Sequence, residues 1–182
     1  MTNLTIRPAT VTDIGILYEW DDKPHVKAAV SNSGTSSFDI VWEEEIGERS
    51  DGTEFFIAEV SSEGSSRAIG ALQIINPATE RTHYWGSAVP NQRAVDIWIG
   101  EEEFIGQGFG TQMMVFAINH CFEPMEVTTV LIDPLANNTR SHKFYKTLGF
   151  EFLERRQFDD ESDCFVFKLT REVWENKYRE CR

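Results

Sequence analysis

Residues 95–122 read VDIWIGEEEFIGQGFGTQMMVFAINHCF. Val95, Ile97 and Ile99 alternate with Asp96 and Trp98, the pattern of a strand with two distinct faces. From Thr111 to Phe122, apolar residues at 113, 114, 117, 118, 121 and 122 recur at helical spacing and mark one buried face. Between strand and helix lies the loop Gly106-Gln107-Gly108-Phe109-Gly110. Glycines at alternate positions let the backbone curl, so that several N–H groups point inward at the helix start, where the dipole also favours an anion. In physical terms this is a pyrophosphate cradle. The alternative is a tight turn that needs glycine only for packing.

Two familiar phosphate loops are excluded. A P-loop places Lys-Ser or Lys-Thr after its last glycine, whereas Thr111-Gln112 follows here. A dinucleotide fingerprint spaces its glycines GxGxxG after the first strand, with an acid roughly 20 residues later. Here the spacing is GxGxG and several strands precede it.

Working outward, residues 127–132 form a β-branched strand and 138–148 a helix that Gly149 stops. Residues 150–156 and 164–169 make a closing hairpin, and Thr170 caps a last short helix. Upstream, residues 4–7 open the sheet. A helical run through Ile14, Leu17 and Trp20 follows Asp13, with Thr10 or Thr12 as its cap. A second helix is predicted to start at Ser36 or Ser37 and end near Gly47. Residues 54–60 and 67–75 read as an antiparallel pair joined by the loop SSEGSS at 61–66. Residues 77–92 form a long irregular excursion rich in Asn, Pro, Gly and aromatics, the kind of loop that often carries function. With no repeat and no linker, residues 1–182 are expected to be one α/β domain, a sheet of about seven strands with helices on both faces.

Hydrophobic residues make up 41% and charged residues 26%, a globular balance. Thirty acids against seventeen bases give a net charge of −13. That charge argues against nucleic acid and anionic membrane as partners, and it suits a cationic small molecule. No stretch approaches the ~18 apolar residues of a membrane span, and MTNLTIRPAT lacks the features of a signal peptide. Cys121, Cys164 and Cys181 are too widely spaced for a metal site or a disulfide framework. His25, His83, His120 and His142 show no metal spacing either. A cytoplasmic protein is expected.

The stretch Gln107-Gly108-Phe109-Gly110-Thr111 before a helix resembles the acyl-CoA loop of the GCN5-related N-acetyltransferases (GNAT). Residues 138–150, NTRSHKFYKTLGF, resemble that family's Asn…Phe-Tyr-x-x-x-Gly-Phe segment, and Arg7-Pro8 resembles its opening. Within the family, Leu17-Tyr18-Glu19-Trp20, Pro24-His25-Val26, Asp133-Pro134 and Leu169-Thr170-Arg171 are similar to the aminoglycoside 6'-N-acetyltransferases. The resemblance implies a mixed, mainly antiparallel sheet with splayed central strands. It also implies acetyl-CoA as co-substrate, no metal, a small-molecule amine as acceptor, and a monomer or homodimer.

The resemblance further assigns roles. Asp96 becomes the base and Tyr145 the acid that protonates the departing thiolate. An aspartate of ordinary pKa ~3.9 is a weak base for an ammonium, so Asp96 must be desolvated or must act by orienting the amine. Otherwise it is a solvated strand acid or a partner of Arg93, and Tyr145 a core tyrosine. Backbone groups of Ile97, Trp98 and Ile99 would meet the pantetheine arm and the oxyanion. Gly106, Gln107, Gly108, Phe109, Gly110 and Thr111 would hold the pyrophosphate. Asn138 would touch the CoA arm or cap its helix, or both, and Arg140, with Lys143, would approach the 3'-phosphate. Asp96, Asp133 and Glu161 would bind the substrate ammonium groups, unless Glu161 is a solvated turn residue. The run Glu101-Glu102-Glu103 is expected to face solvent. Three departures stand out: Ile105 at the head of the loop, Ala28-Ala29-Val30 in place of an aromatic run, and Tyr84-Trp85-Gly86-Ser87-Ala88 in place of an acid-rich loop. They leave open a different amine acceptor, such as a polyamine, siderophore precursor or protein N-terminus, or a non-catalytic acyl-CoA-binding module.

Overall fold

The computed structural model describes residues 3–30, 41–47, 52–62, 64–87, 89–158 and 162–179. Its strands are β1 (Asn3–Pro8), β2 (Glu54–Ser62), β3 (Ser65–Ile75), β4 (Gln92–Ile99), β5 (Thr129–Ile132), β6 (Glu151–Gln157) and β7 (Asp163–Thr170). Its helices are α1 (Ile14–Asp21), α2 (Pro24–Val30), α3 (Trp42–Gly47), α4 (Phe109–Cys121), α5 (Thr139–Leu148) and α6 (Arg171–Arg179). The strands form one sheet in the order β1-β2-β3-β4-β5-β7-β6. Every neighbouring pair is antiparallel except β4 and β5.

That exception opens the sheet. β4 and β5 pair only at Gln92↔Thr129, Arg93↔Val130 and Ala94↔Leu131. β5 ends at Ile132, while β4 continues to Ile99 against β3. Residues 95–99 therefore have a strand on one side only. The splayed central strands implied by the resemblance are present.

The two faces of β4 bury different cores. Val95 joins the large cluster with Met113, Met114, Ala117, Ile118, Cys121 and Phe122 of the α4 side, so all six apolar positions of the helical pattern are buried. On the opposite face Trp98 belongs to a cluster with Leu17, Trp20 and Trp42 under α1–α3. Ala94 belongs to a third cluster with Trp85, Leu131 and Phe158. Asp96, midway between them on the same face by the period-2 rule, marks the seam between two separate cores.

Differences from the sequence reading have local causes. α2 was not anticipated: Pro24 stands at its first position, where a missing N–H costs nothing and the fixed φ already suits a helix. The proposed start of the next helix at Ser36 or Ser37 lies outside the described residues, and α3 begins at Trp42. The 61–66 segment is mostly strand, since Ser61↔Ser66 and Ser62↔Ser65 pair. The first helical run is preceded by a 3-10 turn at Val11–Asp13, in which Thr10 and Asp13 form a reciprocal capping box.

Candidate active site

Asp96 is partly buried at the seam of β4. Desolvation, reinforced by the charge of Asp133, pushes its carboxyl up to about 7. Arg93 donates to the carbonyls of Pro90 and Gln92 and does not pair with it. Asp133 follows the last residue of β5, at the carboxyl end where α/β folds place ligands. Tyr145 enters from α5 and is 8% exposed. Burial raises its phenol, and the charges of Asp96 and Asp133 add to the effect, so the hydroxyl stays protonated. The structure thus brings Asp96, Asp133 and Tyr145 into one electrostatic neighbourhood. Glu161 lies outside the described residues.

One participant escaped the sequence reading. The Tyr84 hydroxyl donates to Asp133 Oδ2 at 2.6 Å. Its presence in a long aromatic excursion was the only signal available, because the contact spans 49 residues of chain.

Two glycines of the loop are held in place by their backbone conformation. Gly106 and Gly108 have φ of 82° and 87°, the left-handed region that glycine alone adopts freely. A Cβ at either would meet nothing within 4 Å, so conformation and not packing demands glycine. Gly108 is the residue preceding α4, and Gly108, Gln107 and Thr111 are exposed around that helix start. Phe109 is 7% exposed in the core, leaving only its backbone to face a ligand, and the buried Trp98 side chain is likewise structural. The Ile99 carbonyl accepts from His25 Nε2 at 2.9 Å, so one β4 group is already engaged.

Asn138 Oδ1 accepts from Ser141 N at 3.1 Å and caps α5, whose other end closes at Gly149 with φ 100°. Asn138→Ala is expected to cost about 1 kcal/mol, measurable as a shifted denaturant midpoint at unchanged slope. Arg140 and Lys143 are exposed on the same helix, one turn apart.

The glutamate run is not simply solvated. Glu101 keeps 14% of its side chain exposed and binds Lys23 Nζ at 2.8 Å, Trp20 Nε1 at 2.9 Å and Arg67 at 2.7 Å. Burial opposes its ionisation, but the bonds from Lys23 and Trp20 outweigh it and hold the carboxyl below its usual range. Glu103 also pairs with Arg67. An open pocket of about 520 Å³ beside this run is lined by Lys23, Pro24, His25 and Glu101–103. None of Asp96, Asp133 or Tyr145 lines it, and its acids would repel a phosphate. Among the described residues no group of His, Cys, Asp and Glu could hold a metal, and no helix is long and apolar enough to cross a membrane.

The family model for the acetyltransferase (GNAT) domain matches residues 9–158. The aminoglycoside N(6')-acetyltransferase type 1 of Klebsiella pneumoniae is 24% identical over 162 residues, covering 82% of this chain and 74% of that protein. The crystal structure of aminoglycoside acetyltransferase AAC(6')-Ib in complex with coenzyme A and kanamycin superposes with a TM-score of 0.80 at 23% identity, over 97% of this chain and 99% of that one. An aminoglycoside N(6')-acetyltransferase structure from Legionella pneumophila gives 0.73 at 19% identity, over 96% and 95%.

Proposed function

The chain belongs to the GNAT acetyltransferase family, and from that premise we propose that it moves the acetyl group of acetyl-CoA directly to a primary amine of a small, cationic, aminoglycoside-like substrate. The observation that carries this reading is the seam itself. A carboxyl raised to about 7 lies beside a second carboxylate and a buried phenol, where β4 parts from β5.

The residues present fit the co-substrate. Two left-handed glycines with open space around them, at the start of a 13-residue helix, suit a pyrophosphate. When bound, acetyl-CoA supplies an activated acetyl thioester. Gly106, Gln107, Gly108, Phe109, Gly110 and Thr111 would hold its pyrophosphate, the β4 backbone at Ile97, Trp98 and Ile99 its pantetheine arm, and Asn138 and Arg140 the remainder.

The chain's own groups divide the work. Asp133 and Glu161 attract the ammonium, aided by the net charge of −13. Asp96, ionised, accepts the proton that the amine must lose. A base poised near 7 serves that step far better than an ordinary aspartate at ~3.9. Backbone N–H groups of β4 between Ile97 and Ile99 would meet the developing oxyanion. Tyr145 Oη holds a proton for the leaving side. Tyr145→Phe is expected to lower kcat about 10- to 100-fold with the KM for acetyl-CoA within twofold, read from thiol release.

The relatives named for aminoglycosides support that acceptor class. A second reading, another primary amine, is favoured by Tyr84, which occupies Asp133 Oδ2 from a loop that departs from the subgroup. Thiol release against kanamycin, spermidine, amino acids and N-terminal peptides separates the two. Turnover with kanamycin well above the rest supports the first reading, and turnover confined to another amine replaces it. Coenzyme A binding without turnover on any amine would leave a non-catalytic module.

A further inference from the structure

We propose that Tyr84 is a positioning residue of the acceptor site: its hydroxyl fixes the Asp133 carboxylate beside Asp96 and thereby sets the affinity for the incoming ammonium. This assignment rests on the acetyl-transfer reading of the same seam.

The loop holding Tyr84 is built to place one hydroxyl. Glu80, 5% exposed, accepts from Thr82 N at 2.8 Å, Thr82 Oγ1 at 2.6 Å and Trp85 N at 3.4 Å, winding residues 80–85 around one carboxylate. His83, next to Tyr84, is the one non-glycine residue at positive φ (52°) among the described residues. Backbone strain of this kind persists only where its surroundings impose it. The Tyr84 ring then stacks on Phe158 at 4.0 Å and 4°, with Trp85 edge-on to Phe158 at 5.9 Å. Arg156 locks this layer from the far hairpin, donating to the Trp85 carbonyl at 3.3 Å and lying 5.4 Å from the Phe158 centroid. A 39% exposed tyrosine with so many restraints has only its hydroxyl left to act through, and that hydroxyl meets Asp133 at 2.6 Å.

The electrostatic consequence has a definite sign. The groups bearing on Tyr84 are Asp133, Cys164 and Asp96, and those bearing on Tyr145 are Asp96 and Asp133. Burial and these neighbours raise the Tyr84 phenol, so it stays a neutral donor. A donor to a carboxylate favours its ionised form. Without it, states with Asp133 protonated become relatively more stable, and the Asp96–Asp133 pair takes up its second proton, the one on Asp133, at higher pH.

Tyr84→Phe keeps the ring stack and removes only the hydroxyl. Carboxyl carbon NMR of aspartate-labelled protein, recorded without substrate, should show the lower titration step of the pair, that of Asp133, moving up by about one pH unit. The shift should vanish when the same change is made on an Asp133→Asn background. With kanamycin as acceptor, the amine KM should rise about tenfold, kcat should change less than about threefold, and the acetyl-CoA KM should stay put. An unmoved titration step, or equal losses for amine and acetyl-CoA, overturns the proposal. A wild-type enzyme that acetylates no amine defeats the acetyl-transfer reading, while the titration still decides the role of Tyr84.

Discussion

Asp96→Asn is expected to lower kcat about 100- to 1,000-fold while coenzyme A binding, measured by calorimetry, stays within twofold of wild type. The amide is nearly isosteric but cannot accept the amine's proton. Wild-type kcat/KM should therefore rise with pH through a limb near 7, as Asp96 ionises against desolvation and the charge of Asp133, and the variant should lack that limb. Because the two acids are coupled, the limb belongs to the pair.

The same substitution should stabilise the fold, with a pH signature. The folded carboxyl titrates near 7 against ~3.9 in an unfolded chain, so the native state binds more protons between those values. Stability from this group is full below about pH 4 and declines as pH rises through 7. Asp96→Asn should therefore match wild type at pH 4 and exceed it by about 2–4 kcal/mol at pH 8. Equal Tm values at both pH values would show that Asp96 is not held against its ionisation, and would remove the physical basis for its role.

Gly100→Ala is the structural counterpart. A Cβ there would stand 2.2 Å from Trp20 Cγ and Cδ2, in a ring that is fully buried and tied to Glu101 through Nε1. Either Trp20 leaves its place among Leu17 and Trp42, or the end of β4 moves away from α1. Overpacking of this kind costs about 3 kcal/mol and should lower Tm by about 6–12 °C for a chain of this length. The damage should not stop at stability. The same strand end carries Ile97–Ile99 and leads into the glycine loop, so coenzyme A affinity should fall as well. An unchanged Tm would mean that the approach of Trp20 to the backbone is not a constraint.

The elements that sequence patterning located were those whose signal is local. The α4 face was legible because Met113, Met114, Ala117, Ile118, Cys121 and Phe122 repeat within one element, and each is buried. Gly149 ended α5 where glycine is needed for a left-handed C-cap. α2 was missed because seven residues carry too little periodicity, and its one strong cue, Pro24 at the first turn, also fits a loop. Glu101 was misread for a different reason. Three consecutive acids look like a solvated face until Lys23, Trp20 and Arg67 arrive from three other parts of the chain.

Strand alternation alone put Asp96 on the face opposite Val95, Ile97 and Ile99, and the glycine spacing alone marked a tightly curled loop at a helix start. These are properties of neighbours along the chain. Which acid is raised, which is occupied and where the sheet opens depended on residues dozens of positions apart. β5 stops three residues after pairing begins, Asp133 then comes within electrostatic reach of Asp96, and Tyr84 crosses 49 residues to reach Asp133. Charge and hydrogen-bond geometry act through space, so only the folded chain decides them.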